Sequence, residues 1–318
     1  MNNKPLQISI LGIGAVGGYF GGLLAEKYFN SKEVEITFIT RPDTEKIIRE
    51  SGLKIIFSDG EKVVFPNYVT SDPTTVKGIN LLICCVKSYD LEESLLTLKD
   101  SLTSDTIILP LLNGVDGPEK IKRIYPENEI WEGCVYIVSR LLKRGVVKES
   151  GSDHSFFFGS ASLTSKDKLR FYEKIFKDAS INAVLAEDIK HTTWEKFLFI
   201  SSLASLTSYL NKPLGAILEK HEYLEMLKTL MKELLEVAKA KNINFPSDII
   251  ETRIEKMKTL PYETTSSMHS DFIKGGKTEY KSLTEYVVKL AEELNIEVPL
   301  YKKVLAGLLS KVKSTTGG

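Results

Sequence analysis

Three parts of this 318-residue chain carry residue types whose spacing could do chemistry. The first is Ile8-Ser-Ile-Leu-Gly12-Ile-Gly14-Ala15-Val16-Gly17-Gly18, a G-x-G-x-x-G pattern that follows a β-like run and opens a helical one. In that setting the first glycine permits a tight turn, the second lets the backbone approach a pyrophosphate, and the third brings the helix close to the sheet. The helix N-terminus then faces the phosphates. Gly12, Gly14, Ala15, Val16 and Gly17 are therefore the expected cofactor-binding turn for a dinucleotide. The second part is Lys190-His-Thr-Thr-Trp194-Glu-Lys196-Phe-Leu-Phe-Ile200-Ser-Ser-Leu203-Ala204-Ser-Leu-Thr207. A helix there lines Lys196 up with Ile200, Leu203 and Thr207, a largely apolar stripe with one ammonium at its end. Such a lysine either snorkels at a core edge or works in a cleft, where desolvation would lower its pKa toward that of a useful proton donor. The third part is Ser266-Ser267-Met268-His-Ser-Asp271-Phe-Ile-Lys-Gly275-Gly-Lys-Thr278-Glu279, whose acids, taken alone, read as helix caps more readily than as catalysts.

Smaller signals fall where loops leave the carboxyl ends of strands, the place where a parallel sheet builds its ligand crevice. The second β-like run ends in Thr40-Arg41, where an NAD enzyme would carry an acidic residue for the ribose 2′-hydroxyl. A guanidinium can pair bidentately with a 2′-phosphate, so Arg41 points to NADP (NADPH) rather than NAD. Val86-Lys87-Ser88 and Leu112-Asn113-Gly114 occupy two further such loops. Metal chemistry finds no support in the spacing: His154, His191, His221 and His269 form neither H-x-x-x-H nor a Cys–His set.

The elements that must position these residues are legible in outline. Residues 6–11, 35–40, 80–86 and 106–111 read as buried strands alternating with helical patterns, the signature of a parallel sheet covered by helices. Between the second and third lie 54–57 and 62–65 around Asp59-Gly60, which read as an inserted β-hairpin. Further β-like runs follow at 130–138 and 155–158. Beyond Asp188 glycine becomes sparse and helical periodicity dominates, with helices expected over 219–241, 247–260 and 278–294 and with Pro246 and Pro299 near helix starts. The expected fold class is α/β: a Rossmann-type doubly wound parallel sheet over residues 1–187, followed by an all-helical domain over 188–318 that ends in a short Ser-Thr-Thr-Gly-Gly tail.

Composition limits the function classes. Forty-two Lys plus Arg balance forty-two Asp plus Glu, so no bulk positive field favours nucleic acid or an anionic membrane surface. At 42% hydrophobic and 26% charged, the chain has the proportions of a globular protein rather than a disordered one. Cys84, Cys85 and Cys134 cannot all pair, and read as buried thiols of a reducing compartment. Residues 5–25 carry no charge and could mimic a signal peptide or a membrane span, but six of them are glycines, which would weaken an ordinary hydrophobic helix, and three of these have the spacing of the binding turn. The expectation is a cytoplasmic protein without membrane or nucleic-acid partners. Its amphipathic C-terminal helices could pack within one subunit or against a second copy as a homodimer.

Taken together these segments closely resemble the ketopantoate reductase (2-dehydropantoate 2-reductase) family over nearly the whole chain. The resemblance rests on the N-terminal G-x-G-x-x-G, Arg41, the V-K at Lys87, the N-G at Asn113, the W-x-K ending at Lys196, and S-S-M-x-x-D-x-x-x-G-x-x-T-E from Ser266 to Glu279, the most specific of them. It implies a Rossmann-type domain joined to a helical one with the active site in the cleft between them. The activity it implies is NADPH-dependent hydride transfer to the C2 ketone of 2-dehydropantoate, yielding pantoate for pantothenate and coenzyme A synthesis. Carried over, Lys196 would be the general acid that protonates and stabilises the developing alkoxide, and Glu279 would orient the lysine and the substrate hydroxyl. Asn113 would sit between nicotinamide and lysine and help bind both substrate and cofactor, Ser267 would bond the substrate carboxylate, and Lys87 would lie near the cofactor. The chain departs from the pattern near the substrate: Ile200 and Ala204 stand where the family's lysine helix commonly carries asparagines, and Leu112 where glutamine is frequent. Loss of such polar partners weakens discrimination for a polar substrate. Two alternatives follow: a reductase of another 2-oxo acid or ketone, and a non-catalytic NADP(H)-binding sensor. The sensor would need Arg41 and the glycines but no proton donor, so the presence of both Lys196 and Glu279 argues against it.

Overall fold

The computed structural model describes residues 4–161 and 164–316; the last two glycines of the tail lie outside the described residues. The chain forms two compact units. One takes the chain up to Leu112 together with Gly117–Thr192, the other Asn113–Asp116 together with the chain from Thr193 onward.

The first unit holds eleven strands among the described residues: β1 Leu6–Leu11, β2 Val34–Ile39, β3 Leu53–Phe57, β4 Gly60–Val64, β5 Tyr68–Thr70, β6 Leu81–Cys84, β7 Ile107–Pro110, β8 Glu129–Ile130, β9 Glu132–Lys143, β10 Val146–Gly159 and β11 Asn182–Leu185. Its helices are α1 Ala15–Tyr28, α2 Pro42–Ser51, α3 Leu91–Leu96, α4 Gly117–Ile124 and α5 Lys166–Asp178. Six strands form an all-parallel sheet in the order β5-β2-β1-β6-β7-β8. Counting only that sheet's own strands, the order is 3-2-1-4-5-6, the doubly wound dinucleotide-binding topology. Strands β6 and β7 are continuous apolar runs because both faces of the sheet are covered, and Ile8, Ile36, Leu81 and Leu109 are wholly buried.

The remaining strands form a second sheet, β11-β10-β3-β4, with β9 antiparallel along β10. The inserted hairpin supplies β3 and β4, Phe57 pairing with Gly60 across a two-residue turn. The β-like run at 130–138 takes in the end of β8 and the start of β9, and that at 155–158 lies in β10; β9 and β10 form a long hairpin that closes at Arg144-Gly145 with Gly145 at φ +75°. Its middle was not legible because charged residues on the exposed face interrupt the apolar alternation.

Helix α1 lies between the two sheets, which accounts for the uncharged, glycine-rich run. A Cβ on Gly21 would come 3.1 Å from Ile10 of β1, and one on Gly18 only 2.6 Å from Val147 of β10. A helix buried on all sides must be apolar all round. Among the described residues no helix is long and apolar enough to cross a membrane.

The second unit is built from α6 Ile189–Leu210, within which the division between units falls, then α7 Leu214–Glu219, α8 His221–Ala240, α9 Ile249–Lys258, α10 Ser267–Ile273, α11 Tyr286–Glu293 and α12 Pro299–Thr316. On α8, Leu227, Leu230, Met231, Leu234 and Val237 are buried at helical spacing and face the core. The middle of α6 is buried on every side although rich in hydroxyls, because these find partners: Ser201 Oγ donates to the Leu283 carbonyl at 2.6 Å and Ser205 Oγ pairs with Thr284 Oγ1 at 2.7 Å. The helix expected over 278–294 begins later, as a π-helical turn, Lys281–Glu285, that runs into α11. The carbonyl of Glu279 accepts from the amides of Ser282 and Leu283, so the acidic residue stands just ahead of the turn.

Candidate active site

The first unit carries the glycine turn. Gly12 sits at φ +93° with its amide donating to the Ile39 carbonyl at 2.9 Å, and a Cβ there would lie 2.9 Å from the backbone nitrogen of Val86. Only glycine fits both constraints. A Cβ on Gly17 would come 2.1 Å from the Gly12 carbonyl oxygen, so the close seating of α1 on the turn also demands glycine. Gly14, the N-cap of α1, is different: nothing lies within 4 Å of where its Cβ would project. Gly14, Ala15 and Val16 are partly exposed at the helix start, where first-turn amides have no intrahelical acceptor. That combination, an open cradle over amide donors at the end of a 14-residue helix, fits a pyrophosphate.

Around the turn, Arg41 follows β2 as the N-cap of α2, and its Nη2 lies 3.1 Å from Asp90 Oδ2. Lys87 is half-buried in the loop between β6 and α3, its carbonyl accepting from the amide of Asp90 at 2.9 Å. Burial pushes the Cys85 thiol up to about 12 and the Cys84 thiol well above its usual range, so neither ionises near neutrality. They pack beside the turn and offer no nucleophile.

The second unit carries the lysine. Lys196 is half-buried on the second turn of α6, and its Nζ donates to Asn113 Oδ1 at 3.3 Å. Asn113 is far away in sequence and reaches α6 because the short strap Asn113–Asp116 packs with the helices. Asp116 Oδ2 accepts from Ser282 Oγ at 2.8 Å, both residues being buried. Gly114, at φ +95°, lets the strap pass so close that a Cβ would lie 3.2 Å from the Ser282 carbonyl oxygen. Ser282 belongs to the π-helical turn that follows Glu279, and Glu279 is 3% exposed. One irregular turn thus anchors both the strap that carries Asn113 and the segment that carries Glu279. Such π turns are frequent at functional sites.

Other expected site residues are placed as follows. Ser267 is exposed as the first residue of α10, whereas its neighbour Ser266 is buried and caps that helix, Oγ accepting from the His269 amide at 3.0 Å. Ile200 is half-buried one turn along from Lys196, and Ala204 is fully buried in the helical core. Sequence reasoning missed Asp116, Ser282 and Asp90. An aspartate three residues after Asn113 and a serine three after Glu279 carry no signal until the strap and the turn are seen together. Among the described residues no group of His, Cys, Asp and Glu is arranged to hold a metal ion.

The family model described as "Ketopantoate reductase PanE/ApbA" matches residues 8–162, and that described as "Ketopantoate reductase PanE/ApbA C terminal" matches residues 188–312. The chain is 25% identical over 303 residues to the uncharacterized oxidoreductase YkpB of Bacillus subtilis, covering 95% of this chain and 98% of that protein. It is similar to the crystal structure of 2-dehydropantoate 2-reductase from Porphyromonas gingivalis W83, with 30% identity, a TM-score of 0.83, and coverage of 96% and 99% of the two chains. It shares its fold with D-mandelate dehydrogenase solved with NADH and anilino(oxo)acetate, at 20% identity, a TM-score of 0.87, and coverage of 98% and 100%.

Proposed function

The chain belongs to the ketopantoate reductase family of oxidoreductases, and from that premise we propose that it reduces 2-dehydropantoate to pantoate with NADPH. The observation that carries the reading is the 3.3 Å hydrogen bond from Lys196 to Asn113. An ammonium whose position is set by an amide oxygen is arranged to meet a developing alkoxide. When bound, the reduced nicotinamide supplies the hydride to the C2 carbon of the ketone. The chain's own part is the proton: Lys196 Nζ donates one to the carbonyl oxygen as the negative charge builds there, and is reprotonated from solvent after the alcohol leaves. Glu279 orients the lysine and the substrate hydroxyl, and Ser267 meets the substrate carboxylate. Gly12, Gly14, Ala15, Val16 and Gly17 hold the pyrophosphate, Arg41 the 2′-phosphate, and Lys87 and Asn113 the nearby parts of the cofactor.

A second reading, favoured by Ile200 standing one turn from the lysine, is reduction of another 2-oxo acid with a more apolar substituent. An isoleucine offers such a substituent contact area and offers a hydroxyl no hydrogen bond. The test is loss of reduced-nicotinamide absorbance with 2-dehydropantoate against a panel of branched and aromatic 2-oxo acids, the best substrate being repeated with NADH. The first reading expects the highest kcat/KM for 2-dehydropantoate and a preference for NADPH. Faster turnover of an apolar 2-oxo acid would transfer the assignment to the second reading.

A further inference from the structure

The C-terminal end of β1 is flanked by β2 and β6, whose last residues, Ile39 and Cys84, are both in register with Leu11. Strand order reverses between β1 and β6, and ligands of open α/β sheets bind outside the carboxyl ends of the strands at such a point. Arg41 lies just beyond β2 and Asp90 in the loop beyond β6, so their 3.1 Å ion pair bridges this crevice, above the glycine turn that leads out of β1. The two partners are unequal. The Arg41 side chain is 79% exposed and that of Asp90 19%, so the carboxylate is the shielded member and the guanidinium faces solvent. Asp90 is also the N-cap residue of α3, yet its side chain makes no cap hydrogen bond. An N-cap aspartate ordinarily accepts from an amide of its own helix. This one is turned to Arg41 instead.

We propose that Asp90 sets the nucleotide preference of this chain by competing with a 2′-phosphate for the Arg41 guanidinium. The proposal rests on the reading that Arg41 meets the 2′-phosphate. A phosphate that engages Arg41 approaches the Asp90 carboxylate, and the two anions repel each other while sharing one cation. The ribose 2′-hydroxyl of NADH carries no charge and meets no such opposition. Asp90 therefore narrows the discrimination that Arg41 would otherwise confer, and keeps the chain able to use either nucleotide.

The test is equilibrium binding of NADPH and NADH, by titration calorimetry, to the wild-type chain, Asp90→Asn, Arg41→Ala and the double variant. Asparagine keeps the shape of the aspartate and removes its charge, with an amide NH2 in place of one carboxylate oxygen. In Asp90→Asn, NADPH should bind about fivefold tighter at low ionic strength while NADH changes by less than about twofold, and the gain should shrink in about 0.5 M salt because these charges are solvent-accessible. In the Arg41→Ala background the Asp90→Asn gain should shrink to what the direct repulsion between carboxylate and phosphate contributes, and a gain as large as in the wild type would overturn competition for Arg41. If Arg41→Ala weakens NADPH but Asp90→Asn leaves it unchanged or weaker, Arg41 keeps its role and the proposal for Asp90 falls. If Arg41→Ala leaves NADPH binding unchanged, the reading of Arg41 is itself wrong and the competition falls with it.

Discussion

Lys196 is the residue on which the proposed chemistry turns. Its charge meets Asn113 Oδ1 from a half-buried position, so the proton it offers is held in one place by a partner that cannot itself take it. Replacing it by alanine removes the acid and leaves the glycine turn untouched. Lys196→Ala should lower kcat by about a hundred- to ten-thousandfold, the range of general acid catalysis, while NADPH affinity stays within about twofold. Steady-state kinetics beside a nucleotide titration checks this, and normal turnover in that variant would remove Lys196 from the mechanism. The type and spacing of Lys196 and of the glycines were legible in the sequence because each obeys a local rule, a helical stripe in one case and a strand-turn-helix in the other. The partner of Lys196 was legible only as a residue type, since the contact is made across 83 positions of chain.

At the scale of elements, α1 serves two purposes with one composition. Its first turn leaves amides without intrahelical acceptors, as pyrophosphate binding would require, and its body fills the space between two sheets, which is why glycine recurs beyond the three that the binding pattern needs. Gly17 joins the two purposes, since a side chain there would strike the Gly12 carbonyl at 2.1 Å and Cys85 Cβ at 2.8 Å. Gly17→Ala gains about 1 kcal/mol of helix propensity, but the backbone shift it forces typically costs 1–3 kcal/mol at a close-packed site, and it displaces the turn itself. The expected outcome is a lower urea midpoint together with weaker NADPH binding. An unchanged midpoint with normal binding would show that the turn can yield. The π-helical turn at Lys281–Glu285 had no sequence signature: 278–294 has the periodicity of one continuous helix, and the extra residue in the turn is stabilised by the strap packed on it, through Asp116 and Ser282.

At the scale of the whole molecule, each unit has its own core. Ile8, Phe20, Phe38 and Phe156 belong to one, and Phe197, Met231, Val287 and Tyr301 to the other. Chains with separate cores often depart from all-or-none unfolding. The glycine turn and Arg41 both lie in the first unit, so NADPH should act on that unit's unfolding. At about one hundred times its Kd it should add roughly 2.7 kcal/mol to the stability of the binding-competent state. Scanning calorimetry should show a nucleotide-dependent transition that rises with NADPH concentration, and a thermogram that NADPH leaves unmoved would contradict the binding assignment.

By itself the sequence determined the doubly wound α/β class, the helical second half, the glycine turn expected to bind a dinucleotide, and a lysine placed as a candidate acid. These follow from local steric rules and from hydrophobic periodicity, which act over a few residues and can be read from them, whereas the orienting role of Glu279 came only from the family resemblance. Only the tertiary structure decided that α1 is clasped between two sheets, that the 113–116 strap packs with the helices and delivers Asn113 to Lys196, and that Arg41 faces Asp90 across the end of β1. Each depends on contacts between segments tens of residues apart. Which side chain meets which is then set by how buried surfaces close against one another, and no pattern along the chain records that outcome.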